Sequence, residues 1–187
     1  MPGFHVDVTS AVSKPLPLDS AALDELLPVY EWWQGLPQTD GLASRDDIRP
    51  EQLRRMLGRI SLIDVLAPIG AARCYRYRLF GSTLAQLHGL NRQGTYLDDL
   101  TPEIYRSMVW RDYDECRRQK TPRLSDCLLT GGGGKRHYLR LLVPFSGSEA
   151  GSDVSLLLSA TAFQDAQARD LQTTNYFYSV AEPAKAE

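Results

Sequence analysis

Residues 73–100 read RCYRYRLFGSTLAQLHGLNRQGTYLDDL, and the order of events within them decides the fold. Tyr75, Tyr77 and Leu79 alternate with Arg76 and Arg78, the period of a strand with one buried face. Phe80-Gly81 closes that strand. Leu84, Leu87 and His88 then recur at helical spacing on a short amphipathic segment, and Gly94 supplies a turn. Asp98 and Asp99 put acids where the positive end of a following helix dipole would favour them.

The flanking segments complete the pattern. Residues 60–66 read as a strand joined to 74–80 through a Pro68-Ile69-Gly70 turn. Downstream, Thr101 as cap and Pro102 at the first helical position open the longest helix, to about residue 119. Tyr105, Met108, Val109 and Cys116 form its apolar stripe, while Arg111, Asp114, Glu115 and Arg118 point to water. Thr121-Pro122 stops it. Three more strands follow at 123–129, 137–145 and 154–163, linked by the glycine run 131–134 and the polar loop 146–153. These segments predict an α+β fold, a five-stranded antiparallel sheet with helices on one face. Leu156, Leu158, Ala160 and Ala162 should then face the core, and Ser155, Ser159 and Thr161 the solvent.

Residues 1–18 form a Pro- and Ser-bearing lead without periodicity. Asp19 or Ser20 can cap a helix to about residue 34, with Leu23, Leu26, Leu27, Tyr30 and Trp33 at helical spacing and Pro28 kinking or splitting it. Residues 38–44 read as a linker; Ser44 caps a short helix or turn, and another begins at Pro50. The predicted organisation is an N-terminal extension with an amphipathic helix (1–43), the sheet domain (44–164) and a tail (165–187) holding a turn of helix over 165–171 and then Tyr176, Phe177 and Tyr178.

At 187 residues, 43% hydrophobic and 24% charged, the chain is long enough to bury a core. No apolar run reaches the roughly 18 residues that span a bilayer, and the N-terminus lacks a signal-peptide pattern. Three scattered cysteines suit a reducing compartment, so the expectation is a soluble cytoplasmic protein with no membrane partner. The net charge of −2 conceals an acidic flank, nine acids against three bases over 1–53, and a basic middle. Arg73, Arg76, Arg78 and Arg140 would be the residues of an anion-binding face, but a solvated arginine-rich sheet and an overall pI near 5.9 make nucleic acid the weaker reading.

Catalytic chemistry finds no constellation. Ser125, Asp126 and Cys127 are contiguous and fall on alternate strand faces. The glycine run before Lys135 fails as a phosphate loop, because Leu129 stands at the earlier glycine position and Arg136 where Ser or Thr should be. No metal-ligand spacing is present. The expectation is a protein without catalytic or metal-ligating residues.

Residues from about 30 to 163 resemble the bacterial single-PAS-domain family PAS_5, formerly a domain of unknown function. The resemblance is carried by YEWWQGLP, SRDDIRPEQLRRMLGRISLIDV, YRYRLFGSTL, GLNRQGTYLDDL and YLRLLVPFS, in that order. It implies a sensory or protein-interaction module and no particular cofactor, since PAS domains bind haem, flavins, small organic molecules or nothing. Members of the fold keep their cavity between sheet and helices, where Tyr75, Tyr77, Leu87, His88, Tyr105, Met108 and Val109 should meet, with Tyr105 and His88 as polar anchors. His88 could ligate a haem iron, although a histidine bonded to backbone is the plainer account. The long helix carries no histidine and the short one no cysteine, which removes the ordinary haem and light-sensing flavin signatures. The cofactor is left unknown. With no output region in the chain, a signal would leave through a homodimer or a separate partner protein, and Trp32 and Trp33 are the candidate contact residues; alternatively, both tryptophans cap the sheet. A ligand-free adaptor is the competing function.

Overall fold

The structure, a computed structural model, describes residues 8–66, 73–132, 134–147 and 153–164. Its first element corrects the sequence reading, because the supposed aperiodic lead contains a strand, β1 (Val8–Leu16). Only Val8 of that strand is buried, so backbone pairing and not an apolar stripe holds it. That is why periodicity missed it. After a 3-10 turn at Ala21–Leu23 comes α1 (Leu27–Gln34), with Pro28 at its first turn. The long helix expected here is thus split at the proline, whose ring and missing N–H forbid a helix interior. The supposed linker is a small hairpin, β2 (Gln38–Thr39) and β3 (Leu42–Ser44). Ser44 then caps a 3-10 turn through its hydroxyl, which accepts from the Asp46 N–H at 3.2 Å, and another 3-10 turn starts at Pro50.

The five expected strands follow as β4 (Ile60–Val65), β5 (Tyr75–Phe80), β6 (Arg123–Gly131), β7 (Gly134–Ser146) and β8 (Val154–Phe163). The short helix α2 (Ser82–His88) and the long helix α3 (Glu103–Gln119) lie between β5 and β6. Pro102 occupies the cap of α3 in extended conformation, one position earlier than expected. In space the strands run β5-β4-β8-β7-β6, antiparallel throughout, with β1 added outside β6. β6 accompanies β7 only as far as the Arg123–Leu142 pair, and β3 runs parallel to the stretch beyond, pairing Ala43 with Phe145. The turn at 68–70, the centres of the glycine and polar loops, and the tail from 165, with its helical turn and aromatic residues, lie outside the described residues.

The sheet separates two apolar clusters. On one face α2 and α3 bury Tyr105, Met108, Val109, Tyr113 and Cys116 against Tyr75, Tyr77, Leu142, Leu157 and Phe163. On the other, the N-terminal arm lays Leu23, Leu26, Val29, Trp33, Leu53 and Met56 over Leu139, Leu141, Val143, Leu156, Leu158 and Ala160. Both faces of β7 and β8 are therefore buried. The expected outward face of β8 is also inside, with Ser159 5% and Thr161 6% exposed. The greasy alternation of β8 meets the arm, and its hydroxyl-bearing side meets α2 and α3.

Candidate functional site: a pocket between sheet and helices

The backbone fixes where α2 begins. A Cβ on Gly81 would lie 2.4 Å from the Gly58 carbonyl oxygen and 2.6 Å from that of Leu57, so only glycine lets these segments meet. α2 then runs over the sheet and presents Leu84, Leu87 and His88 downward. In β5 the pairing skips Arg78, since Ile63 faces Tyr77 and Leu62 faces Leu79. This bulge shifts the strand's phase, so Phe80 and not Leu79 turns inward after Tyr75 and Tyr77. Tyr105, Val109 and Tyr113, one turn apart on α3, supply the opposite wall.

Between these walls lies a cavity of about 50 Å³. Its floor is polar: Ser61 from β4, Arg140 from β7, and Ser159 and Thr161 from β8, with Tyr138, Phe163 and Arg136 toward the far end. Aromatic rings interlock around it. Tyr77 meets Phe80 edge-on at 5.5 Å, Phe80 meets His88 edge-on at 5.1 Å, and His88 leans on Tyr105 at 6.4 Å. Such pairs are worth roughly 0.5–1.5 kcal/mol each beyond burial, enough to hold the walls in one arrangement.

Beneath the pocket sits a buried ion cluster. Asp112 of α3, 0% exposed, accepts from the Ser13 hydroxyl of β1 at 2.6 Å, from the Arg123 guanidinium of β6 at 3.3 Å, and from Arg140 of β7. Arg123 also reaches Glu115 at 2.5 Å. One carboxylate thus ties the long helix to three strands and orients Arg140. Burial raises the Tyr77, Tyr105 and Tyr138 phenols well above their ordinary range and pushes Tyr113 up to about 12, so all four stay neutral donors at physiological pH. Arg92, also buried, donates from Nε to His88 Nδ1 at 3.4 Å, behind the pocket wall.

Of the seven residues the sequence nominated, the structure brings Tyr77, Leu87, His88, Tyr105 and Val109 onto the pocket wall. Tyr75 and Met108 belong to the same core but not to that wall. Tyr75 packs on Tyr113 at 5.6 Å and Trp110 at 6.4 Å, with Arg117 beside its hydroxyl. Sequence reasoning missed Phe80, Tyr113, Arg140, Ser159 and Thr161. A visible signal for Arg140 was its position as the one charge in YLRLLVPF, a run too apolar to sit on a surface.

Trp33 is buried against the sheet and donates from Nε1 to the Pro144 carbonyl at 3.0 Å. Trp32 is half-buried, 6.1 Å from the Phe145 ring, and donates to Gln52 Oε1 at 2.9 Å. The four arginines considered as an anion-binding face are dispersed. Arg76 and Arg78 converge on buried Asp64 at 2.8 and 2.6 Å, Arg73 lies over the Tyr96 ring, and Arg140 is interior. Cys74, Cys116 and Cys127 are buried free thiols. Among the described residues no cluster of three or more His, Cys, Asp or Glu could hold a metal ion, and no helix is long and apolar enough to cross a membrane.

The search of curated proteins finds no match. Among solved structures, the chain is similar to the PAS domain from Bordetella pertussis BvgS, with 15% identity and a TM-score of 0.45 over 69% of this chain and 96% of that one. The light state of the blue-light photoreceptor Aureochrome1 LOV gives 10% identity and a TM-score of 0.42 over 67% and 95%. An RNA-binding light-oxygen-voltage receptor gives 15% and 0.46 over 92% and 44%. At these values no ligand or partner is carried over from them. The sequence itself settles the family: residues 23–159 match PAS_5, a PAS-domain family, and the chain belongs to it.

Proposed function

We propose that this PAS domain is a sensory module whose pocket binds a small molecule and whose response is passed to a partner protein or to a second copy of itself. One observation carries the reading: a buried arginine and three hydroxyl side chains face a chamber whose other lining is mainly aromatic and aliphatic. A core needed only for stability gains nothing from interior polar groups, each of which costs on the order of 1–3 kcal/mol when left without a partner. A cavity of about 50 Å³ is far below the several hundred Å³ of an ordinary cofactor site, so neither haem nor flavin belongs to the proposal. No reaction belongs to it either.

The response has a short way to travel. Arg140 faces the pocket, and its strand neighbours Leu139 and Leu141 face the arm that holds α1. Half-buried Trp32 is the contact residue we assign to that arm. Three buried free thiols fit a reducing cytoplasm. The pairing of Arg76 and Arg78 with Asp64 weighs against nucleic acid as the partner. The small cavity also favours a second reading, an adaptor whose aromatics fill the chamber and which acts by protein contact alone. Native and denaturing mass spectra of the purified protein, with its absorbance spectrum, separate the two. Extra mass that is lost on denaturation supports the sensor; an apo mass unchanged on exposure to small metabolites supports the adaptor.

A further inference from the structure

The electrostatics of the pocket are one-sided. Arg136, Arg140 and His88 line it, and no aspartate or glutamate does so among the described residues. Asp112 lies behind Arg140 and is shared with Arg123, while Arg140 Nε, also buried, has no hydrogen-bond partner among the described residues. A chamber lined by cationic side chains and no carboxylate, with a buried guanidinium N–H lacking an acceptor, favours an anionic occupant that supplies one.

Size and wall chemistry narrow the ligand. A cavity of about 50 Å³ holds about three to five water-sized groups, at roughly 10–15 Å³ for each. The walls are aromatic rings and the aliphatic chains of Leu84, Leu87 and Val109, and the floor offers hydroxyl donors beside the arginine. Resting on the reading of this pocket as a small-molecule site, we propose that its ligand is a short-chain carboxylate, with the carboxylate held by Arg140 and the Thr161 and Ser159 hydroxyls and the carbon end among the aromatics. Carboxylates match a guanidinium in shape and charge, and charge-assisted hydrogen bonds in a dry site are about twice as strong as neutral ones.

The test uses the full chain and sodium acetate, propionate and lactate as probes, with acetamide and propionamide as neutral isosteres, sodium nitrate as an inorganic oxyanion and sodium chloride at matched ionic strength. Thermal midpoint and ligand-observed NMR report binding. At least one carboxylate is expected to raise the midpoint where its amide and chloride do not. Ser159→Ala and Thr161→Val, two conservative changes, should each weaken binding by about tenfold, the loss expected for a hydrogen bond to a charged group. Amides binding as well as carboxylates would overturn the anion assignment and leave the small-molecule reading standing. So would stabilisation by nitrate alone, or carboxylate binding indifferent to both substitutions. If no probe binds and native mass spectra show only apo protein, the small-molecule reading falls, and this inference with it.

Discussion

Asp112→Asn tests the strongest structural claim, that one buried carboxylate fastens α3 to the sheet. The substitution keeps side-chain size and an acceptor for Ser13 while removing the charge that faces Arg123 and Arg140. Arg123 retains Glu115, but Arg140, with 5% of its side chain exposed, is left a buried cation with no carboxylate partner among the described residues. Breaking a buried pair from one side costs about 3–5 kcal/mol. For a chain of this size that lowers the thermal midpoint by about 6–20 °C. Urea unfolding measures the free energy directly. Arg140→Met removes the stranded charge and fills the space with an apolar chain, so Asp112→Asn/Arg140→Met should be less destabilised than the sum of its parts, by up to about 3 kcal/mol of coupling. A single-mutant loss below about 1 kcal/mol, the value of an exposed pair, or strict additivity in the cycle, would refute the argument.

Gly81→Ala drives a methyl into the Gly58 and Leu57 carbonyls, backbone that cannot swing aside, and should cost about 1–3 kcal/mol in urea melts; an unchanged midpoint would mean the α2 junction is not that tight. Trp33→Ala should cost about 3–5 kcal/mol, since the arm loses its largest ring against the sheet, whereas half-buried Trp32 should cost less than half as much; equal losses would contradict the two environments. Alkaline pH gives a signed expectation. Tyrosine in the unfolded chain ionises near 10, whereas folded Tyr113 holds its proton to about 12, so between these values the folded state binds more protons. Stability should therefore be undiminished below about pH 10 and decline up to about pH 12, with the phenolate absorbance of the buried tyrosines appearing together with unfolding. Ionisation of Tyr77, Tyr105, Tyr113 and Tyr138 ahead of unfolding would contradict their burial.

The sequence made legible whatever depends on local periodicity. Tyr75 and Tyr77 turn inward as their alternation says, and Tyr105, Met108, Val109 and Cys116 form the buried stripe of α3. What failed depends on distant partners. β1 owes its place to backbone bonds with β6, 116 residues away in sequence at Val12 and Leu128, and hydropathy does not record such pairing. The bulge that brings Phe80 inward is a register event between β4 and β5 and cannot be seen in β5 alone.

The reading of β8 shows why half the site stayed hidden. Alternation separates two faces of a strand, and reasoning from one covered face assigns the polar side to water. Here the arm covers the face carrying Leu156, Leu158 and Ala160, so the serine and threonine side is interior as well. Once both faces are covered, the same pattern acquires a different meaning: Ser159 and Thr161 become the polar positions in a chamber of aromatics, and Arg140 on the adjoining strand shares their direction. A polar residue facing a core is expensive unless something satisfies it, so the mismatch between sequence polarity and burial is itself a pointer to the site.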